Sequence, residues 1–154
     1  MKIMNTNDCF YCTKDERLQG LMIKICDMPC ATFYLFKDQR YTGRCVLAFN
    51  DHKEEFFELT KEERSIFSES MATCARVLKD LFHADKINYA VYGDLVSHFH
   101  VHLVPKFKDG PEWGGPFTDT NPKTLLTDEA YDARIQLIKD ALANSSRTYV
   151  RLGA

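Results

Sequence analysis

The stretch His98-Phe99-His100-Val101-His102-Leu103-Val104-Pro105 decides how this chain is read. On a pleated strand alternate side chains share a face, so His98, His100 and His102 point one way while Phe99, Val101 and Leu103 point the other. The apolar set feeds a core. The other face presents imidazoles spaced about 6–7 Å along the strand, from a rise of about 3.3 Å per residue. Three of the five histidines in the chain fall within these five positions. A wet strand face is the plain reading, but Thr, Lys or Glu serve such a face better and His has no special strand preference. Two chemical readings stand beside it. His-x-His on a strand is a common metal-ligand pair, and imidazole, largely neutral near pH 7, can attack phosphorus directly.

Working outward, residues 86–92 read as a second strand, joined to the triplet through Gly93-Asp94. Residues 21–27, 31–36 and 44–50 supply three more, with a polar turn over 37–43 that ends in Gly43. Thr60-Lys61-Glu62-Glu63 is a capping box, and Phe67, Met71, Cys74, Leu78 and Leu81 follow at helical spacing, which predicts one amphipathic helix over about 61–83. His83 at its end is placed to interact with the helix dipole. Residues 107–122 form a Gly- and Pro-rich loop around Trp113, and a second helix begins at Thr127 with Tyr131, Ile135, Ile138 and Leu142 on one face. Strands and helices without βαβ alternation predict an α+β domain: an antiparallel five-stranded sheet with two main helices.

A chain of 154 residues fits a single domain, 1–154, with its core over about 9–107 and a loop plus C-terminal helix over 108–154. The net charge of −2, with both signs interspersed, gives no cationic run for a nucleic acid polymer. Neither a secretory signal nor a membrane span is visible, so a cytoplasmic location is expected. In a reducing compartment Cys26, Cys30, Cys45 and Cys74, each among apolar neighbours, read as buried thiols.

Cys9-Phe10-Tyr11-Cys12 differs from these. A C-x-x-C pair lets two thiolates reach one metal, and alone it is ambiguous between zinc and redox chemistry. The lack of a βαβ context weakens the redox option. A tetrahedral site needs two further ligands, for which His52 and His98 are the candidates.

The triplet with its apolar alternates matches the His-φ-His-φ-His-φ-φ signature of the histidine triad (HIT) family, and the chain is identified as a member of that family. Pro105-Lys106 resembles the dipeptide that often closes the signature, and Gly93-Asp94-Leu95-Val96-Ser97 resembles the short approach loop of bacterial-type members. The resemblance implies that His100 is the nucleophile, attacking the α-phosphate of a nucleotide to form a nucleotidyl-histidine. It implies that His102 hydrogen-bonds at the phosphate, with Ser97 as a further donor. Asp38 is similar to the residue that accepts from ribose hydroxyls, with Gln39 and Asn50 as lesser candidates. Zinc held structurally by Cys9, Cys12, His52 and His98 resembles the arrangement in zinc-containing members and in the related galactose-1-phosphate uridylyltransferases. Lys106 is either an electrostatic aid or a solvated surface residue, and Trp113 either stacks on a base, covers the site or anchors in the core. A homodimer and a nucleotide substrate are the implied partners. The implied activity is hydrolysis or nucleotidyl transfer on dinucleoside polyphosphates, nucleoside phosphoramidates or similar conjugates. A nucleotide-binding regulatory module with little catalysis, and a metalloenzyme with zinc on the three-histidine face, are the alternatives.

Overall fold

The structure, a computed structural model, describes residues 6–120 and 122–152, with side chains to residue 146. Five strands form one antiparallel sheet: β1 (Met22–Met28), β2 (Ala31–Phe36), β3 (Cys45–Phe49), β4 (Lys86–Ala90) and β5 (His100–Lys106). Their spatial order is β1-β2-β3-β5-β4, so the histidine strand β5 sits inside the sheet between β3 and β4. Helices α1 (Phe10–Thr13) and α2 (Glu16–Leu21) precede the sheet, α3 (Lys61–Phe82) connects β3 to β4, and α4 (Asp128–Leu152) follows β5. This is the α+β arrangement expected from the sequence, extended by two short N-terminal helices.

The pleat divides the side chains as the alternation predicts. Phe33, Leu35, Leu47, Val101 and Leu103 are buried on one face with α3 and α4. The capping box at the start of α3 is made in full: the Thr60 amide donates to Glu63 Oε2 at 2.7 Å and the Glu63 amide donates to Thr60 Oγ1 at 3.1 Å. The helix then buries Phe67, Cys74 and Leu78 and stops at His83, which takes the left-handed conformation with φ 54°. His83 therefore ends the helix through its backbone.

The opposite face is not left to water. Tyr34, Val46 and Ala48 cluster there with Met22 at the start of β1, with Tyr11 and Leu18 from the N-terminal helices, and with Cys9 just before them. Cross-strand register sets Val46 opposite His102 and Ala48 opposite His100, which puts both histidines on this second face. Small and β-branched partners at these positions leave room for the rings. β5 begins at His100 and not at His98, because the chain bends at 98–99: the Phe99 amide donates to the Lys53 carbonyl at 2.7 Å and its carbonyl accepts from the Phe49 amide at 3.0 Å. Of the four isolated cysteines, Cys45 and Cys74 are buried, while Cys26 and Cys30 are only partly so; all four are free thiols.

The turn between β2 and β3 delivers Arg44 to the histidine face. Gln39 is buried inside this turn, its Nε2 donating to the carbonyls of Phe36 (2.6 Å) and Arg44 (3.1 Å), and its Oε1 accepting from the Gly43 amide (2.9 Å) and Arg134 (2.7 Å). Gly43 has φ 88°, and a Cβ there would lie 2.6 Å from Cδ2 of Phe82. Position 43 thus combines a left-handed backbone with a close approach to a ring. Gly43→Ala is expected to lower stability by roughly 1–3 kcal/mol, read as a shift of the urea midpoint without a change in its slope.

Candidate functional site

Four residues that are far apart in sequence meet at one end of the β3–β5 pair. Cys9 precedes α1 and Cys12 lies within it, His52 follows β3, and His98 precedes β5. One ligand atom from each residue lies within 4.8 Å of every other. Cys9 Sγ is 3.4 Å from His98 Nδ1, Cys12 Sγ is 3.3 Å from His52 Nδ1 and 3.6 Å from His98 Nδ1, and the two ring Nδ1 atoms are 3.3 Å apart. With Zn–S near 2.3 Å and Zn–N near 2.0–2.1 Å, the edges of a tetrahedron come to about 3.3–3.8 Å. These spacings fit a two-thiolate, two-imidazole zinc site with all four corners supplied by the protein.

The surroundings of the ligands agree with that fit. His98 Nε2 donates to the Phe49 carbonyl at 2.7 Å, which leaves the Nδ1 lone pair directed at the cluster. Burial pushes the His98 ring down to about 4, so it is neutral near pH 7. In the absence of a cation, burial and the neighbouring Cys9 raise the Cys12 thiol to about 11. A divalent ion among the four side chains would bind both sulfurs as thiolates and satisfy both imidazole lone pairs at once. His52 Nε2 is buried without a hydrogen-bond partner, with the Glu54 carboxylate 3.8 Å away.

Next to the cluster a cleft of about 700 Å³ opens, lined by His100 and His102 together with Phe36, Asp38, Arg44 and Asp119. His100 Nδ1 lies 2.5 Å from the carbonyl oxygen of His98, so Nδ1 carries the proton and Nε2 keeps its lone pair. Burial lowers its basicity, partly offset by that hydrogen bond. The Tyr11 ring packs against both His98 and His100, at 5.1 and 4.9 Å between centroids, and fixes their planes.

His102 has the opposite tautomer. Its Nδ1 faces Arg44 Nη2 at 3.3 Å, and a guanidinium only donates, so Nδ1 accepts and Nε2 carries the proton. Burial and the adjacent Arg44 push this ring down to about 3. Arg44 is itself 1% exposed. Its guanidinium stacks on Phe36 at 4.0 Å and on Phe117 at 4.9 Å, and its Nη1 bonds Asp119 Oδ1 at 2.5 Å.

The other residues singled out from sequence fall in several places. Asp38 lines the cleft, with Oδ1 accepting from the Arg40 amide (3.2 Å) and the Thr124 amide (2.9 Å). Gln39 and Ser97 are not among the residues lining the cleft, and Gln39 is fully engaged within its own turn. Asn50 Oδ1 accepts from the Thr32 hydroxyl at 2.9 Å, in a separate depression. Trp113 is 45% exposed and lies outside the lining, so it is neither a core anchor nor a cover in this conformation. Lys106 is not a solvated lysine: it is buried, and Nζ donates to the carbonyls of Glu112 (2.6 Å) and Gly115 (2.8 Å). Arg44 and Asp119 were missed. The signal for Arg44 was its position, a lone basic residue opening a strand whose other members are apolar; Asp119 gave none.

A zinc-type Cys/His cluster joined to a paired-histidine cleft through the His98 carbonyl, on an antiparallel sheet, defines the class of protein. The HIT domain family matches residues 24–109, more than half of the chain, and the chain belongs to that family. It is 26% identical over 132 residues to an uncharacterized HIT-like protein of Mycoplasma genitalium, covering 81% of this chain and 92% of that one. Among solved structures, a histidine triad protein of Sinorhizobium meliloti superposes with TM-score 0.76 at 26% identity, covering 82% of this chain and 94% of that one. Two more distant structures share the fold. One is a zinc-bound histidine triad family protein of Mycobacterium smegmatis (TM-score 0.64, 17% identity, 94% and 99% covered). The other is a diadenosine triphosphate hydrolase of Plasmodium falciparum (TM-score 0.60, 15% identity, 79% and 76% covered).

The four-ligand geometry yields a direct test. The purified protein is expected to carry one equivalent of zinc, and Cys9→Ser to lose it, while His100→Ala keeps it. Stripping the metal with a chelator is expected to lower Tm by roughly 5–10 °C, the effect of about 3 kcal/mol on a domain of this size. Zinc lost from His100→Ala and retained by Cys9→Ser, by metal analysis of the two variants side by side, would put the ion on the wrong set of residues.

Proposed function

We propose that this protein is a nucleotide hydrolase or nucleotidyl transferase that attacks the α-phosphate of a dinucleoside polyphosphate, nucleoside phosphoramidate or similar conjugate through His100. The observation that carries the reading is the pair of fixed tautomers. His100 presents an Nε2 lone pair to the cleft while its Nδ1–H is held by the His98 carbonyl, and His102 presents an N–H donor beside it. A nucleophile and a phosphate donor are what displacement at phosphorus requires of the protein.

In the first step His100 Nε2 bonds to phosphorus and the bond to the leaving group breaks, the electron pair departing with that group. The ring, now carrying phosphorus on Nε2 and a proton on Nδ1, is cationic, and the His98 carbonyl stabilises it. In the second step the oxygen of water or another acceptor bonds to phosphorus and gives up its proton to solvent, the P–N bond breaks, and its electrons return to Nε2. His102 Nε2–H holds a phosphate oxygen, and Asp38 in the lining accepts from ribose hydroxyls. Ser97, away from the lining, is left out of this assignment. Cys9, Cys12, His52 and His98 would hold a zinc ion that would supply rigidity and no chemistry of its own, while the carbonyl of His98 orients His100. The fold shared with a protein named as a diadenosine triphosphate hydrolase supports the same substrate chemistry.

No helix among the described residues is long and apolar enough to cross a membrane. Six cysteines with no disulfide between them, two of them assigned to zinc, accord with a reducing, cytoplasmic setting. The exposed side chains of Tyr89, Val91, Tyr92 and Leu95, on and just after the edge strand β4, support pairing of two copies.

His100→Ala is expected to reduce turnover of adenylyl and guanylyl substrates by at least about a thousandfold, since nothing else in the cleft replaces the nucleophile. Rapid quenching of the wild-type reaction is expected to trap a nucleotide–protein adduct that maps to His100. Wild-type turnover by that variant on every nucleotide tested would remove the proposal. Nucleotide affinity with neither adduct nor turnover would identify a binding module instead.

A further inference from the structure

We propose that Arg44 is a positioning residue that locks His102 as a neutral hydrogen-bond donor and thereby makes the site selective for weakly basic, phosphate-type leaving groups over amines. The proposal rests on the nucleotidyl-transfer reading above and names the branch of its substrates that the site prefers.

The Arg44 guanidinium has donors and no acceptor and stays charged at any pH the protein meets. At 3.3 Å from His102 Nδ1 it satisfies that nitrogen only as an acceptor. Protonating Nδ1 would therefore break a hydrogen bond and set two cations side by side within a buried pocket. The groups facing His102 from each surrounding element are Arg44 before β3, His100 on β5, Tyr92 after β4, and Asp119 in the loop beyond β5. Asp119 alone favours a charged ring, and it is the most exposed of the pair it forms, with 65% of its side chain open against 2% for Arg44. Its bond to Arg44 Nη1 leaves Nη2 turned to the histidine. Two aromatic rings, Phe36 and Phe117, clamp the guanidinium and restrict its choice of direction.

The consequence follows from proton accounting. When His100 displaces a phosphate or nucleoside phosphate, the P–O bond breaks and its electron pair rests on an oxygen that is stable as an anion near neutral pH. No proton has to move, and a neutral Nε2–H from His102 suffices as a hydrogen bond. When His100 displaces an alkylamine, the P–N bond breaks and the pair must be met by a proton, because an amide anion is far too basic to leave. An imidazolium could supply it; a neutral imidazole N–H cannot. Burial and the Arg44 contact together keep His102 in the second state, and Arg44 fixes which nitrogen carries its single proton. The same pocket that binds both classes of nucleotide thus activates one of them.

The test uses the zinc-loaded protein and a series of adenylyl donors: diadenosine triphosphate, an adenosine 5′-phosphoryl phenol ester, and an adenosine 5′-phosphoramidate of an alkylamine. Wild type is expected to favour the anhydride over the alkyl phosphoramidate by about a hundredfold or more in kcat/KM, the size of a missing general acid. Arg44→Met fills the slot between the two phenylalanine rings without the charge, and is expected to narrow that ratio by about tenfold or more, mainly through a relative gain on the amine. In parallel, nitrogen-15 spectra of wild type at pH 7 are expected to show His102 Nδ1 unprotonated and Nε2 protonated, with no imidazolium signal down to pH 5. Equal wild-type rates on anhydride and phosphoramidate, an unchanged ratio in Arg44→Met, or a proton on His102 Nδ1 would each overturn the proposal. If Arg44→Met does not fold, the wild-type ratio and spectra still decide it. Turnover abolished by His100→Ala with no leaving-group preference sinks this inference alone; no turnover of any donor by wild type sinks the hydrolase reading with it.

Discussion

The hydrogen bond from His100 Nδ1–H to the His98 carbonyl is the contact on which the rest of the site depends. His98 is held in three directions at once: Nδ1 toward the cysteine cluster, Nε2 to the Phe49 carbonyl, and its own carbonyl to His100. Each contact fixes a different degree of freedom. The ring contacts fix the side chain, and the bend at 98–99 turns the carbonyl inward, where a regular strand would have paired it with a neighbour. A nucleophile gains from this in its resting form, because the tautomer is set, and in its bonded form, because a carbonyl dipole meets the positive ring.

The fold supplies the second requirement, which is that two adjacent imidazoles behave differently. Pleating puts His100 and His102 on the same face with ring centroids 5.2 Å apart. Nothing in a bare strand would distinguish them. The difference comes from what the neighbouring elements bring: the backbone of the metal-side bend reaches His100, and the β2–β3 turn brings Arg44 to His102. The apolar wall behind them, Val46 and Ala48 against the N-terminal helices, removes water from both and makes each partner's effect larger.

Much of this was written in the sequence. The i, i+2 period of the triplet placed its rings on one face, the capping box fixed the start of α3, and the donor types of Cys9, Cys12, His52 and His98 pointed to a common ion before any distance was known. Those signals are local or chemical, and they survive translation into three dimensions. What stayed hidden depends on packing between segments remote in sequence. Arg44 looks like any residue at the head of a strand until Phe117 and Asp119 arrive from the loop beyond β5. Gln39 resembled a ligand contact through its place beside Asp38 in the turn, yet it is consumed by the carbonyls its own turn leaves unpaired. The helices over residues 10–21 escaped notice because they are too short to show a period.

Lys106 carries a last implication. It is a cation withdrawn from water whose hydrogen-bond acceptors are backbone carbonyls from the loop, Glu112 and Gly115, with the Tyr41 ring nearby at 5.9 Å. Main-chain oxygens are the same whatever side chain accompanies them. These two contacts therefore constrain the length and path of the segment more than the side chains at its contact points, and an insertion there should be far less tolerated than a substitution. The same buried cation thereby sets the path along which the loop carries Asp119 to the cleft.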